Sequence, residues 1–368
     1  MPLPPKGSGG FMSAPGSMVG PAPAPVAEAR AEWLYLDQEA MCAAGVLDMR
    51  QAMSAVAAVM VEWEKGRVRQ PHKLVLRAAD SSACERQWRI NGLCAALGDP
   101  VRWLGMKWMA SFPPNRRHGL PRASGLMILN SPESGLPLAV MDATLLSAMR
   151  TGAVTGLGVQ YLAPPEVRRA AIIGAGVQAR TQALGLATAC PMLEDIAIVA
   201  RRPEAASACV ADCRRIWPIP VRVGGRADLA VADILVTATT ADTPVLFAED
   251  VRPGALTVQI AGHECSYELI AACDKIVCDD WDTVKHRGLS TPARMHAAGL
   301  LSDDRIHASL AQLLTGTRPG RERAGERIHF CHIGMGLDDV ALAAAVYQNA
   351  LRRGLGQALE LWRAPLWA

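Results

Sequence analysis

The chain has 368 residues, half of them apolar and a fifth charged, with a formal net charge of only +3. That balance suits one large or two ordinary globular domains with real cores. It leaves little room for a nucleic-acid binder, because the basic clusters "NRRHG" and "RPGRERAGER" are short and form no stripe, and no apolar run is long enough to span a bilayer.

The first thirty residues are rich in Pro, Gly, Ala and Ser, and they lack the apolar core of a signal peptide. They read as a disordered tail, drawn here as residues 1–32. "EWLYLD" then reads as a strand, and "DQEAMCAAGVLDMRQAMSAVAAVMVEWEKG" as helix closing at Gly66. "HKLVLR" is strand-like. "GMKWMASFPPNRRHGLPRASGLMILNSPESGLPLAVMD" reads as several antiparallel strands, with "NSPESG" as a hairpin connection. "TLLSAMRTGAVTGLGVQYL" returns to helical spacing.

From residue 169 the pattern changes. "AAIIGAG", "DIAIVA", "ADILVTATT", "LTVQIAG" and "KIVCDD" are short apolar strands separated by helical segments. That alternation implies a parallel sheet with helices on both faces. After residue 328 come a strand, a Gly-rich turn and a long helix running to "GLGQALELW". The fold class expected is α/β: a Rossmann-type doubly wound parallel sheet domain (156–328) inserted into an α+β domain built from 33–155 and 329–368. The ten cysteines include no CxxC pair and several sit in apolar runs, so reduced thiols in a cytoplasmic protein are expected, with no metal site.

Gly174, Gly176 and Ala179 form GxGxxA between a strand and a helix. Gly174 permits the tight turn, Gly176 leaves room for a pyrophosphate, and Ala179 allows close helix–strand packing. Val177 and Gln178 open the helix, whose free N–H groups favour phosphate. Thr239, ending "ADILVTATT", is assigned to the same cofactor surface. The next strand should end in Asp or Glu if a ribose 2′-hydroxyl is gripped in the usual way. Ala200 stands there instead, followed by Arg201 and Arg202. Two guanidiniums could pair with a 2′-phosphate, so the cofactor is NAD or NADP with a lean to NADP.

"MKWMASFPPN", "GLPLAVMDATLLSAMRTGA", "IIGAGVQARTQ" and "IGMGLDDVALA" together resemble the ornithine cyclodeaminase/mu-crystallin family, from about Leu34 to Trp362. "KWMASFP", "DKIVCDDW" and "YQNALRRGLGQALELW" resemble most a branch that cleaves N-(2-amino-2-carboxyethyl)-L-glutamate to L-2,3-diaminopropionate and 2-oxoglutarate. The resemblance implies a homodimer, an amino-acid substrate, and a dimerisation and substrate domain made from both chain ends. It also implies roles for single residues. Arg150 matches the arginine that grips the substrate carboxylate, and Lys107 the lysine at the reacting group. Lys73 falls where a second basic carboxylate ligand is carried, with Arg77 as its rival. Gly334 and Met335 should lie near the nicotinamide. The acid/base position falls in "IAGHECSYEL", where Glu264 is favoured and His263 is the rival.

Other polar residues read more plainly. His286 and His332 read as structural or supporting, and Asp279 and Asp280 as solvated carboxylates at a strand end. Three other readings stay open. The first is an ornithine or lysine cyclodeaminase. The second is an imine or ketimine reductase or an amino-acid dehydrogenase on the same scaffold. The third is a mu-crystallin-like protein that binds NADPH and a small ligand without turnover.

Overall fold

The computed structural model describes residues 31–77, 88–260 and 262–367, and the tail expected at the chain start lies outside them apart from its last two residues. Those two begin β1 (Ala31–Leu36), which is followed by α1 (Gln38–Ala43) and α2 (Met49–Glu64). The sequence reads as one helix here, but the structure breaks it. Gly45 adopts a φ of 93°, and the Asp48 carboxylate then starts a new helix by accepting from the N–H groups of Arg50 and Gln51.

Next come β2 (Val68–Arg69), β3 (Leu74–Arg77), β4 (Arg89–Leu97), β5 (Trp103–Ser111), β6 (Ala123–Asn130), β7 (Pro137–Asp142) and the long α3 (Ala143–Leu162). The second sheet follows, with β8 (Arg169–Ile173), α4 (Val177–Ala189), β9 (Asp195–Val199), α5 (Pro203–Ile216), β10 (Val221–Val223), β11 (Ile234–Thr237) and β12 (Leu256–Gln259). It continues through α6 (Tyr267–Ala271), β13 (Lys275–Cys278), α7 (Trp281–Arg287), α8 (Thr291–Ala297), β14 (Ile306–Ser309), α9 (Leu310–Thr315) and β15 (Ile328–Cys331). The chain closes with α10 (Gly336–Arg353) and β16 (Gln357–Trp362). The sequence reads as helix through this last segment. Instead Gly354 and Gly356, both at positive φ, end the helix, and β16 turns back to pair antiparallel with β1.

The first sheet has the order β16-β1-β7-β6-β5-β4-β2, with β3 also on β4. All its pairs are antiparallel except β1–β7. One face is covered by α2, α3 and α10, and the strands alternate accordingly. Lys107 lies in the covered row Leu93–Lys107–Met127–Met141. Trp108 points the other way, in the outer row Leu74–Gly92–Trp108–Leu126.

The second sheet is entirely parallel, in the order β10-β9-β8-β11-β12-β15-β13-β14. Its central strands are buried on both faces, as helices on either side require. This is the Rossmann-type arrangement. Strand order reverses between β8 and β11, and ligands of such sheets sit at the carboxyl ends of the strands at that point. No helix among the described residues is long and apolar enough to cross a membrane.

Candidate active site

A cavity of about 270 Å³ opens at that reversal. Its floor is the start of α4 (Gly176, Val177 and Gln178) and the end of β11 (Ala238 and Thr239). Its opposite wall comes from the first sheet and α3, with Lys107 and Arg150 among the lining side chains.

The floor follows from local backbone geometry. Gly174 has a φ of 123°, and a Cβ there would fall on the Ala238 carbonyl, so no other residue fits. A Cβ at Gly176 would meet nothing nearer than Arg116 Nη2 at 4.0 Å, so it would stand in the open cavity where a phosphate would lie. Ala179 is fully buried against the sheet. Arg180 steadies the turn from behind: its guanidinium donates to the carbonyls of Ala175 and Gly176 and pairs with Asp212 at 2.6 Å. These features fit a dinucleotide pyrophosphate. Arg201 and Arg202 lie exposed beyond the end of β9, with Arg202 immediately before α5.

The wall is an ion cluster drawn from three elements. Lys107 Nζ on β5 lies 2.6 Å from Asp339 Oδ2 on α10 and donates to Ser147 Oγ at 3.1 Å. Arg150 Nε on α3 donates to Asp339 Oδ1 at 2.8 Å. All three charged groups are buried. Burial, with Arg150 adding repulsion, lowers the Lys107 pKa to about 8 in spite of Asp339. Burial also works against ionised Asp339, yet Arg150 and Lys107 hold it below the ordinary carboxylate range. Its neighbour Asp338 faces elsewhere, accepting from Met335 N–H at 3.1 Å, and burial raises it to about 7. Sequence reasoning placed "GMGLDD" near the cofactor but did not assign Asp339 to the ion cluster.

The turn between β15 and α10 is shaped around Arg150. Gly334 has a φ of 75°, and a Cβ there would fall on the Arg150 guanidinium. Asp279 holds this turn, accepting from the N–H groups of Ile333 at 2.9 Å and Gly334 at 2.8 Å. Asp279 is therefore not the solvated carboxylate expected from its place at a strand end. It is fully buried, and burial raises its pKa to about 6 against those backbone donors. Asp280 caps α7 instead, accepting from Thr283 N–H at 2.9 Å. His332 is buried under the cluster with its Nε2 2.8 Å from Thr155 Oγ1, while His286 stacks on His72 at 4.0 Å.

Lys73 is half-buried and lines the cavity, and burial, with Arg287 and Lys107 beside it, pushes its pKa well below the ordinary lysine range. Arg77 is exposed and lines an adjoining recess together with Lys73, Gly334 and Met335. Four further cations line the cavity and went unassigned in the sequence, Arg89 on β4, Arg116 and Arg122 between β5 and β6, and Arg287 on α7. Arg89 Nε is buried with no hydrogen-bond partner among the described residues, and Arg287 donates to Ile333 O at 3.1 Å.

The acid/base pair expected in "GHEC" does not join this constellation. Glu264 is fully buried and does not line the cavity. Its Oε1 accepts from Thr239 N–H at 2.6 Å and Thr239 Oγ1 at 2.7 Å, and its Oε2 from Thr237 Oγ1 at 3.1 Å. Those bonds pin the end of β11, whose Thr239 lines the cavity. His263 lies 3.4 Å from Arg294 Nη1 and packs on Tyr267, also away from the cavity lining. The lysines that do face the cavity are Lys107 and Lys73.

Residues 38–354 match the ornithine cyclodeaminase/mu-crystallin family. The chain is 33% identical to an alanine dehydrogenase of Archaeoglobus fulgidus over 90% of its length and 99% of the relative's. It is 30% identical, over 90% and 99%, to an N-((2S)-2-amino-2-carboxyethyl)-L-glutamate dehydrogenase of Staphylococcus aureus. The structure of Thermococcus litoralis Delta(1)-pyrroline-2-carboxylate reductase in complex with NADH and L-proline is similar at 27% identity. Its TM-score is 0.80, covering 88% of this chain and 99% of that one. With four motifs, the fold and nearly the full described length in agreement, this chain belongs to the ornithine cyclodeaminase/mu-crystallin family.

Proposed function

We propose that this NAD(P)-dependent oxidoreductase oxidises the C–N bond of an N-(carboxyalkyl) amino acid, specifically N-(2-amino-2-carboxyethyl)-L-glutamate. The observation that carries the reading is the Lys107–Asp339–Arg150 cluster on the wall of the cavity whose floor is the glycine turn. The Staphylococcus aureus relative supports the substrate.

A nicotinamide bound there would supply the hydride acceptor for the carbon that bears the amine nitrogen. Gly176, Val177, Gln178 and Thr239 would hold the cofactor, with Gly334 and Met335 at the nicotinamide end. Arg150 spends its Nε on Asp339, which leaves its two terminal nitrogens as a fork for the carboxylate on the reacting carbon. Lys73 stands by for a further carboxylate. Lys107 is held by Asp339 and Ser147 and is poised to give up or take a proton near neutral pH. It takes the proton of the water that adds to the imine carbon. The resulting carbinolamine then separates into diaminopropionate and 2-oxoglutarate.

Arg201 and Arg202, with Ala200 in the usual acidic place, support NADP as the cofactor. A second copy of the chain is the proposed cover for the outer face of the first sheet, where Leu74, Leu76, Trp108 and Leu126 are exposed together. The cytoplasmic location rests on the composition of the cysteines alone.

Absorbance at 340 nm tests the reaction. With the conjugate and NAD or NADP, reduced cofactor should accumulate one for one with 2-oxoglutarate. L-Ornithine converted to proline and ammonia with no net reduction would instead establish the cyclodeaminase reading. The rate should also rise with pH through about 8, because the neutral Lys107 amine is the form that accepts a proton. A flat profile from about pH 6 to 9 removes Lys107 as the base.

A further inference from the structure

The basic stretch "NRRHG" lies in the connection between β5 and β6, where Pro113–His118 form a short 3-10 helix. Two prolines open that helix, and Gly119, at a φ of 70°, ends it. The connection is closed at its base by Phe112 N–H, which donates to the Arg122 carbonyl at 2.7 Å. Asn115 is tied twice to the returning chain. Its Nδ2 donates to Pro121 O at 3.0 Å, and its carbonyl accepts from Leu120 N–H at 3.0 Å. Those bonds fix the path of the backbone that carries Arg116.

Arg116 ends at the glycine turn of the other sheet. Its Nη2 lies 4.0 Å from where a Cβ on Gly176 would stand, and no other cation comes as near. Both residues line the main cavity. The guanidinium is exposed, and it makes no ion pair or hydrogen bond of its own among the described residues.

The turn lacks a full positive charge from its own sheet. A dinucleotide pyrophosphate brings two negative charges, and the start of α4 offers backbone N–H groups and the partial charge of a helix end. The first side chains of α4 are Val177, Gln178 and Ala179, none of them charged. Arg180 follows, but Asp212 and the carbonyls of Ala175 and Gly176 occupy it, and it does not line the cavity. The nearest full charge comes from across the cavity.

We propose that Arg116 is a pyrophosphate ligand, supplied to the glycine turn of the second sheet by the β5–β6 connection of the first. This goes beyond the reaction proposed above and rests only on the cofactor lying at the glycine turn. The cofactor is then held from both sheets, by backbone N–H groups on one side and by a guanidinium on the other. A planar fork can meet two phosphate oxygens, which a point charge cannot.

Fluorescence titration of NADH tests this. Arg116→Gln should weaken binding about five- to tenfold, the value of a charged hydrogen bond reduced for its exposure to water. Arg116→Lys should recover part of the loss. Arg117→Gln removes the same charge from the next residue, which does not line the cavity, and should bind NADH as the wild type does. Raising the salt from about 0.05 to about 0.5 M should narrow the gap between wild type and Arg116→Gln, because the contact is open to solvent. Wild-type affinity in Arg116→Gln overturns the proposal. So does an equal loss in Arg117→Gln, which would show a general effect of charge. A variant at Arg116 that keeps its NADH affinity and binds 2-oxoglutarate less tightly would assign the arginine to the substrate, which also overturns it. Gly176→Val scores the turn separately. If that variant alone loses NADH, the turn stands as the cofactor site without Arg116; if it binds NADH normally, the turn and the proposal fall together.

Discussion

The glycine turn and the Lys107–Arg150–Asp339 cluster face one another across a single cavity, yet they are specified in opposite ways. The turn is six consecutive residues, Gly174 to Ala179, whose geometry follows from one strand, one positive φ and one helix start. The cluster joins β5, α3 and α10, and its Arg150–Asp339 bond closes a separation of 189 residues. The turn is a backbone device and tolerates any side chain that stays clear of it. The cluster is an electrostatic device in which each member depends on the charge of the other two. Nature of failure should therefore differ: a fault in the turn removes the ligand, and a fault in the cluster disturbs the fold as well as the chemistry.

The largest effect should come from Gly176→Val. A branched side chain fills the space above the turn without meeting the protein, so the variant should fold and lose measurable NAD(P) affinity by fluorescence titration. Undiminished affinity in the folded variant would remove this turn from the cofactor site. Asp339→Asn should act on stability instead. It leaves Lys107 and Arg150 buried together without their counter-charge, a loss of about 3–5 kcal/mol in urea unfolding. A change within about 0.5 kcal/mol would mean that the two regions do not differ as argued. Glu264→Gln should have the smallest effect, about 1 kcal/mol, because the amide oxygen can still accept from Thr239 while the amide NH2 donates to Thr237 Oγ1. It should appear as weaker cofactor binding with a nearly unchanged turnover number. A collapse of turnover at normal cofactor affinity would restore Glu264 as the base.

Pairs of like residues show where reading the chain stops. Asp338 and Asp339 are adjacent and chemically identical, yet one caps a helix and the other counters two buried cations. Asp279 and Asp280 likewise part, one holding the Gly334 turn and the other capping α7. Neighbours on a chain point in different directions, and only the packed surroundings decide what each direction meets. Glu264 shows the same thing. Its place in the motif was legible, but the two threonines that donate to its oxygens lie at and just past the end of β11, about 25 residues away.

Two strands were hidden by composition. β4, "RINGLCAAL", carries Gly and Ala, which favour strands weakly, and it forms because β3 and β5 pair with it on both sides. β16, "QALELW", is made of good helix formers and becomes a strand only by pairing with β1 from the far end of the chain.

What the sequence determined unaided is what depends on short range: the strand–helix alternation, the GxGxxA turn, the missing acid at Ala200, and the motifs that carry the family resemblance. What the tertiary structure alone decided is how charge is shared. Whether a carboxylate is solvated, caps a helix or neutralises a buried lysine depends on groups tens to hundreds of residues away. The cost of burying an unpaired charge then makes each such arrangement a property of the whole fold.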